Sequence, residues 1–113
     1  MGDPLFERVR SSGNRIAIDG FVRDIPMSQK HTTWNVLSEL ERSLPKLSGL
    51  PIRFVWGMRD WCFRPECMER MNLAWPNATR RKLDDVGHYV MEEASAEVLE
   101  ELQKLMDENV DRQ

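Results

Sequence analysis

From Thr32 onward the apolar positions recur in steps of three and four: Trp34, Leu37, Leu40 and Leu44, with Glu39, Glu41 and Arg42 between them. That spacing puts one apolar stripe on a helix. Thr32 or Thr33 is a suitable N-cap, so a helix is expected from there to about Leu44, ended by Pro45 and Ser48-Gly49. The period then changes. Ile52 to Trp56 is rich in β-branched and aromatic residues, opened by Pro51 and broken by Gly57, the pattern of a strand. Residues 57–64 read as a loop. Pro65 suits the first turn of a helix, where its missing N–H is harmless, and Cys67, Met68, Met71 and Trp75 form that helix's buried stripe. Pro76-Asn77 turns the chain into a second strand, Thr79 to Leu83, polar enough for a sheet edge. Asp84 to His88 is a loop. Ser95 is expected to cap a last helix with Val98, Leu102, Leu105 and Met106 facing inward and Glu97, Glu100, Glu101 and Lys104 facing water. The polar tail after Glu108 is expected to fray.

The first thirty residues carry a weaker pattern. Leu5, Phe6 and Val9 fit a short helix ended near Ser11-Ser12-Gly13, whereas Ile16, Ile18, Phe21 and Val22 match helix and strand periods equally weakly. Pro26 closes this segment, and residues 26–31 read as loop. The order is therefore helices, then strand–helix–strand–helix, and a right-handed parallel unit fits residues 51–84. A parallel sheet is normally covered on both faces and has more than two strands. The face of Ile52, Phe54 and Trp56 is thus expected to lack neighbours, and one edge of the first strand to lack a partner. The 113 residues have room for one domain. They read as the last part of a larger α/β sheet.

Candidate chemistry sits at the strand ends. Trp56-Gly57-Met58-Arg59-Asp60-Trp61 follows the first strand and Asp85-Val86-Gly87-His88 the second. Together they place an acid and a histidine side by side, two members of an acid–base–nucleophile triad. His88 is the candidate general base. Asp60 would accept from its ring and fix the tautomer. Read as turn residues only, Asp60 would satisfy backbone N–H groups and His88 would be a surface side chain; the pairing of the two turns favours catalysis. Asp85 lies too near His88 along the loop to face its ring and is read as loop-structuring, and Arg59 as solvated. Trp61 and Phe63 are candidates to line an apolar substrate pocket, packing against the next helix being the equal alternative. Trp34, Trp56 and Trp75 are expected in the core. Strand alternation splits Arg80-Arg81-Lys82 between faces, which reads as a solvated edge. His31, near a helix start, is expected to be exposed.

At these two turns the sequence resembles the C-terminal portion of an α/β-hydrolase, most of all the haloalkane dehalogenase-like branch, which includes β-lactone decarboxylases of long-chain olefin formation. The resemblance is strongest over residues 50–106. It includes Tyr89-Val90-Met91-Glu92-Glu93 after the histidine and the Trp75-Pro76-Asn77-Ala78 turn. Over 20–49 it rests on Gly20-Phe21-Val22-Arg23-Asp24-Ile25-Pro26, similar to the stretch after the family's cap. The resemblance implies one partial domain, with 1–31 a post-cap segment and 32–113 the C-terminal strands and helices. It implies Asp60 and His88 as triad acid and base, and hydrolysis of a small apolar substrate through an ester intermediate. The family's nucleophile, Ser or Asp, stands on an elbow before this region, and no G-x-S-x-G or G-x-D-x-x elbow occurs here. The chain alone is therefore expected to be inactive. As a non-catalytic module it would complete its sheet with a second copy or a separate N-terminal half.

Composition narrows the rest. Sixteen basic against nineteen acidic side chains, a net charge of -3, give no electrostatic case for nucleic acid or an anionic membrane. No apolar run is long enough to cross a bilayer. Met1-Gly2-Asp3-Pro4 lacks a basic region followed by an apolar one, so no secretory signal is expected, and Phe6 stands where myristoylation wants Ser or Thr. A cytoplasmic location is expected. Cys62 and Cys67 are too few for a disulfide framework and, with His31 and His88 far apart, form no metal-ligand pattern. Free thiols, no metal and no cofactor are expected.

Overall fold

The computed structural model describes residues 11–111. The helix expected over Leu5–Val9 lies outside them. The chain divides into two compact units between Arg42 and Ser43.

The first unit carries α1, Ser12–Arg23, and α2, Thr32–Ser43. Residues 11–13 open α1. Ser11 is extended, and its hydroxyl accepts the Asn14 N–H at 3.0 Å, which relieves one unpaired amide of the first turn. The start of α2 is held by His31, not by a threonine. The Thr33 N–H donates to His31 Nδ1 at 3.1 Å, and Nε2 lies 3.1 Å from the Arg23 carbonyl. An accepting Nδ1 puts the proton on Nε2, which donates to that carbonyl. The Thr33 hydroxyl donates instead to Asp24 at 2.6 Å. Trp34, expected in the core, is exposed.

The second unit runs through a 3-10 turn (Leu44–Leu47), β1 (Arg53–Gly57), α3 (Pro65–Ala74), β2 (Thr79–Leu83), α4 (Val90–Glu93) and α5 (Ser95–Asp111). It is a mixed α/β unit. β1 and β2 pair in parallel, Arg53 opposite Thr79 through to Gly57 opposite Leu83. Gly57 therefore continues the first strand instead of breaking it.

Alternation along the strands sends Phe54, Trp56, Arg80 and Lys82 to one face and Arg53, Val55 and Arg81 to the other. The first face does not lack neighbours. α3 covers it: Met68 is wholly buried, Phe54 is 7% exposed, and the Phe54 ring lies 6.0 Å from that of Trp75. The Trp75 indole N–H, at the end of α3, donates to the Leu44 carbonyl at 2.7 Å and ties the 3-10 turn to this layer. Glu69 of α3 accepts from Arg80 at 2.9 Å and pairs with Lys82 at 3.4 Å. Arg81 goes to the opposite side, so the basic run is shared between two helices. Cys67, expected in the stripe of α3, is exposed, and both cysteines are free.

α5 covers the second face with a polar seam. Arg53 donates to Glu101 at 2.8 Å and pairs with Glu108, while Arg81 reaches Glu101 and Glu100, each at 3.2 Å. Glu101, expected to face water, is 5% exposed, whereas Leu102 and Met106, expected inside, are exposed. The cause lies in the strands. Two arginines project from this face, and a helix laid on it must turn carboxylates towards them, because a buried unpaired guanidinium costs more than exposing two aliphatic side chains. Ser95 is the first residue of α5 rather than its cap, the Val98 N–H bonding the Ala94 carbonyl at 3.0 Å. The helix continues through Asp111, past the expected fraying point.

The Lys104 ammonium, against the opposing effect of burial and with help from Arg53 and Arg81, holds the Glu101 carboxyl below the usual glutamate range. Arg81 first, and then Lys104, do the same for Glu100. A carboxyl depressed in the folded state binds its proton less tightly there than in the unfolded chain. Its contribution is complete above the unfolded value and is lost as pH falls through the folded one. Stability is expected to decline on acidification below the ordinary glutamate range. Glu101→Gln should flatten that acid limb and cost about 2 kcal/mol at neutral pH, less than a lone buried pair because Arg53 keeps Glu108 and Arg81 keeps Glu100. Urea unfolding at stepped pH checks this; an acid limb as steep as that of the unaltered chain would count against the seam.

Candidate active site

The turns after β1 and β2 are joined by a continuation of the parallel pairing. The Met58 N–H donates to the Leu83 carbonyl at 3.0 Å and the Arg59 N–H to the Val86 carbonyl at 2.9 Å. This closeness depends on Gly57, which is buried. A Cβ there would lie 2.7 Å from the Val86 carbonyl oxygen, 2.9 Å from its carbon, and closer still to the Gly87 oxygen. No described glycine has a positive φ, so Gly57 is needed for the close approach of two backbones and not for its conformational range.

Asp60 and His88 come together across this junction. His88 Nδ1 lies 3.1 Å from both carboxylate oxygens of Asp60. Asp60 Oδ1 also accepts the Cys62 and Phe63 N–H groups, each at 2.8 Å. The one carboxylate thus shapes its own turn and holds the ring. The Asp60 and His88 side chains are 9% and 26% exposed. Burial is the largest single influence on Asp60 and works against its charge. The Phe63 amide, the His88 ring and the Cys62 amide together outweigh it and hold the carboxyl below the usual aspartate range. An ionised Asp60 accepts from Nδ1–H, which leaves Nε2 with its lone pair free to take a proton.

Aromatic rings surround the histidine: Trp61 at 5.8 Å, Phe63 at 5.4 Å and Tyr89 at 5.3 Å between centroids. All three are exposed, Trp61 to 78%. The Trp56 indole N–H donates to the Phe63 carbonyl at 2.9 Å and fixes the loop that carries two of them. Asp85 pairs with Arg59 at 3.3 Å, both well exposed. Two contributors escape a reading of the sequence. Tyr89 could have been found as the neighbour of the histidine. Glu93, whose carboxylate accepts the Gly87 N–H at 3.0 Å, carries no signal beyond following His88 by five residues.

A cleft of about 620 Å³ lies at the starting ends of the strands, lined by residues that include Leu50, Pro51, Trp75, Asn77 and Thr79. It contains neither Asp60 nor His88, and ligands of parallel α/β sheets bind at the other, carboxyl ends of the strands. Among the described residues no three His, Cys, Asp or Glu side chains gather to hold a metal ion, and no helix is long and apolar enough to cross a membrane.

The chain is similar to two curated proteins of one name. The cis-3-alkyl-4-alkyloxetan-2-one decarboxylase of Shewanella oneidensis is 33% identical over 98 residues, covering 87% of this chain and 31% of that protein. Its namesake from Xanthomonas campestris pv. campestris is 30% identical over 96 residues, covering 85% of this chain and 32% of its own length. The chain thus spans less than a third of the length of the curated relatives it matches. No family model matches it, and no solved structure matches it.

Proposed function

We propose that the chain is the acid-and-base part of an α/β-hydrolase of the haloalkane dehalogenase-like type, with His88 as general base and Asp60 as the acid that orients it. The observation that carries this reading is the Nδ1–carboxylate contact at the carboxyl ends of two adjacent parallel strands, in a chain similar to two decarboxylases. The nucleophile would come from outside the described residues. The parent chemistry is attack of that nucleophile on the electrophilic carbon of a small apolar substrate, which breaks the bond to a halide or alkoxide leaving group and leaves an ester; His88 Nε2 then takes a proton from the water that hydrolyses the ester to an acid and an alcohol. The relatives' name makes an oxetan-2-one, a strained four-membered lactone, the substrate to try first. Loss of carbon dioxide from a 3,4-dialkyl oxetan-2-one leaves an alkene with one alkyl group on each double-bond carbon. The exposed rings of Trp61 and Phe63 suit the walls of a pocket for such alkyl groups.

A second reading has its own observation. Among the described residues β1 pairs only with β2, so its other edge is open, and Leu99, Leu102, Met106 and Val110 of α5 are exposed. A non-catalytic module that completes its sheet with a second copy or a separate N-terminal half would use these features.

One experiment separates the two. The native polypeptide carrying residues 56–88 is purified from its source cells, mapped by peptides, and assayed with a cis-3,4-dialkyl oxetan-2-one, an ester and a haloalkane. Turnover by a polypeptide longer than 113 residues, lost in His88→Ala, supports the catalytic reading. No turnover of any of the three, in a chain that sediments as a dimer or with a second polypeptide, overturns it in favour of the module.

A further inference from the structure

We infer that Glu93 is a positioning residue for His88, acting through the Gly87 peptide; the inference rests on the Asp60–His88 pair and not on any particular substrate. His88 reaches Asp60 only if the backbone just before it is held against β1. Three contacts hold it. The Gly87 carbonyl lies against Gly57, where a Cβ would collide with it. The Val86 carbonyl accepts the Arg59 N–H at 2.9 Å, which ties one edge of the Val86–Gly87 peptide to the turn after β1. On the other edge of that peptide the Gly87 N–H donates to Glu93 Oε2 at 3.0 Å. The Arg59 bond alone leaves the peptide free to pivot about its carbonyl, and the charge-assisted bond to Glu93 fixes its tilt and with it the direction in which His88 leaves the turn.

The short helix α4 makes this possible. The N–H groups of Glu92 and Glu93 donate to the Tyr89 carbonyl at 3.0 and 2.9 Å, and that of Ala94 to the Val90 carbonyl at 2.9 Å. The chain after His88 therefore returns at once, and a side chain five residues on lies beside the peptide that precedes it. Asp60 hydrogen-bonds the Cys62 and Phe63 amides and the His88 ring, and Glu93 hydrogen-bonds the Gly87 amide instead. Its effect passes through backbone placement alone. It is also exposed, so its replacement opens no cavity in the core, and a change at His88 can be read apart from a change in stability.

The test is the tautomer of His88, read from ring ¹⁵N shifts in the full 113-residue chain at a pH where the ring is neutral. The Asp60 contact holds the proton on Nδ1. Glu93→Ala is expected to lower the ratio of Nδ1–H to Nε2–H by about tenfold, the factor that corresponds to losing one such hydrogen bond. Glu93→Gln, which keeps an acceptor oxygen, should restore most of it, and Glu92→Ala should leave it unchanged. A ratio unaltered in Glu93→Ala, or altered equally by Glu93→Gln, overturns the inference. Should Glu93→Ala fail to fold, the Gly87 amide of the unaltered chain decides: exchange as slow as at Arg59, whose N–H is bonded to Val86, supports the clamp, and exchange at the rate of an open loop overturns it. The readout needs no turnover, so a chain with the clamp and no activity would count against the proposed function and leave this inference standing.

Discussion

Gly57→Ala is expected to destabilise the second unit by on the order of 3 kcal/mol or more and to separate Asp60 from His88. The added methyl would overlap backbone atoms of Val86 and Gly87. Backbone cannot rotate aside as a flexible side chain can, so either β1 or the turn after β2 must move. Movement of either breaks the bonds from Met58 to Leu83 and from Arg59 to Val86. Gly87→Ala is the control. A Cβ there meets Glu93 Oε2 at 3.4 Å and nothing else nearer than 4.0 Å, so its cost should stay within about 1 kcal/mol. Urea unfolding of both variants checks the contrast. Equal stabilities would mean that the two turns are not in close contact in solution.

On the proposed catalytic reading, Asp60→Asn in the longer polypeptide is expected to lower kcat by about 10⁴-fold with little change in fold. The new amide retains an oxygen for the Cys62 and Phe63 N–H groups that Asp60 Oδ1 now accepts, so the loop keeps its shape. Its nitrogen, however, is a donor, and it faces His88 Nδ1, which lies 3.1 Å from each oxygen of the native carboxylate. The ring would turn its lone pair to that donor and put its proton on Nε2, where a base needs none. The negative charge that stabilises the imidazolium is lost as well. The kinetics must show the fall in kcat at nearly constant KM; a raised KM with kcat preserved would assign Asp60 to binding and remove it from the triad.

Much of the second unit was legible along the chain. The change from three- and four-residue steps to a short β-branched run marked β1, and Pro65 marked the start of α3. The two turns stood out because each follows a strand, and parallel neighbours carry their terminal turns to the same end of a sheet. Other features were not legible for particular reasons. His31 caps α2 through a ring nitrogen that must be neutral to accept, a role that composition ascribes first to Thr32 or Thr33. Ser11 caps α1 through the Asn14 amide, a role that the weak periodicity of the following residues did not mark.

The rotation of α5 is the plainest case. Its sequence offers two nearly equal stripes, one with Val98, Glu101, Leu105 and Glu108 and one with Leu99, Leu102, Met106 and Val110. Hydrophobicity prefers the second. The first is the one turned inward, because Arg53 and Arg81 stand on the face it covers. The chain by itself determined the two strands, the helices that start near Thr32, Pro65 and Ser95, and which two turns carry an acid and a histidine, since local period and turn chemistry are written in neighbouring residues. Only the tertiary structure decided which face of α5 is buried, that Gly57 must lack a side chain, and that Glu93 holds the peptide before His88. Each of those depends on what a residue far away in sequence, or on the far side of a turn, brings to within hydrogen-bonding or contact distance.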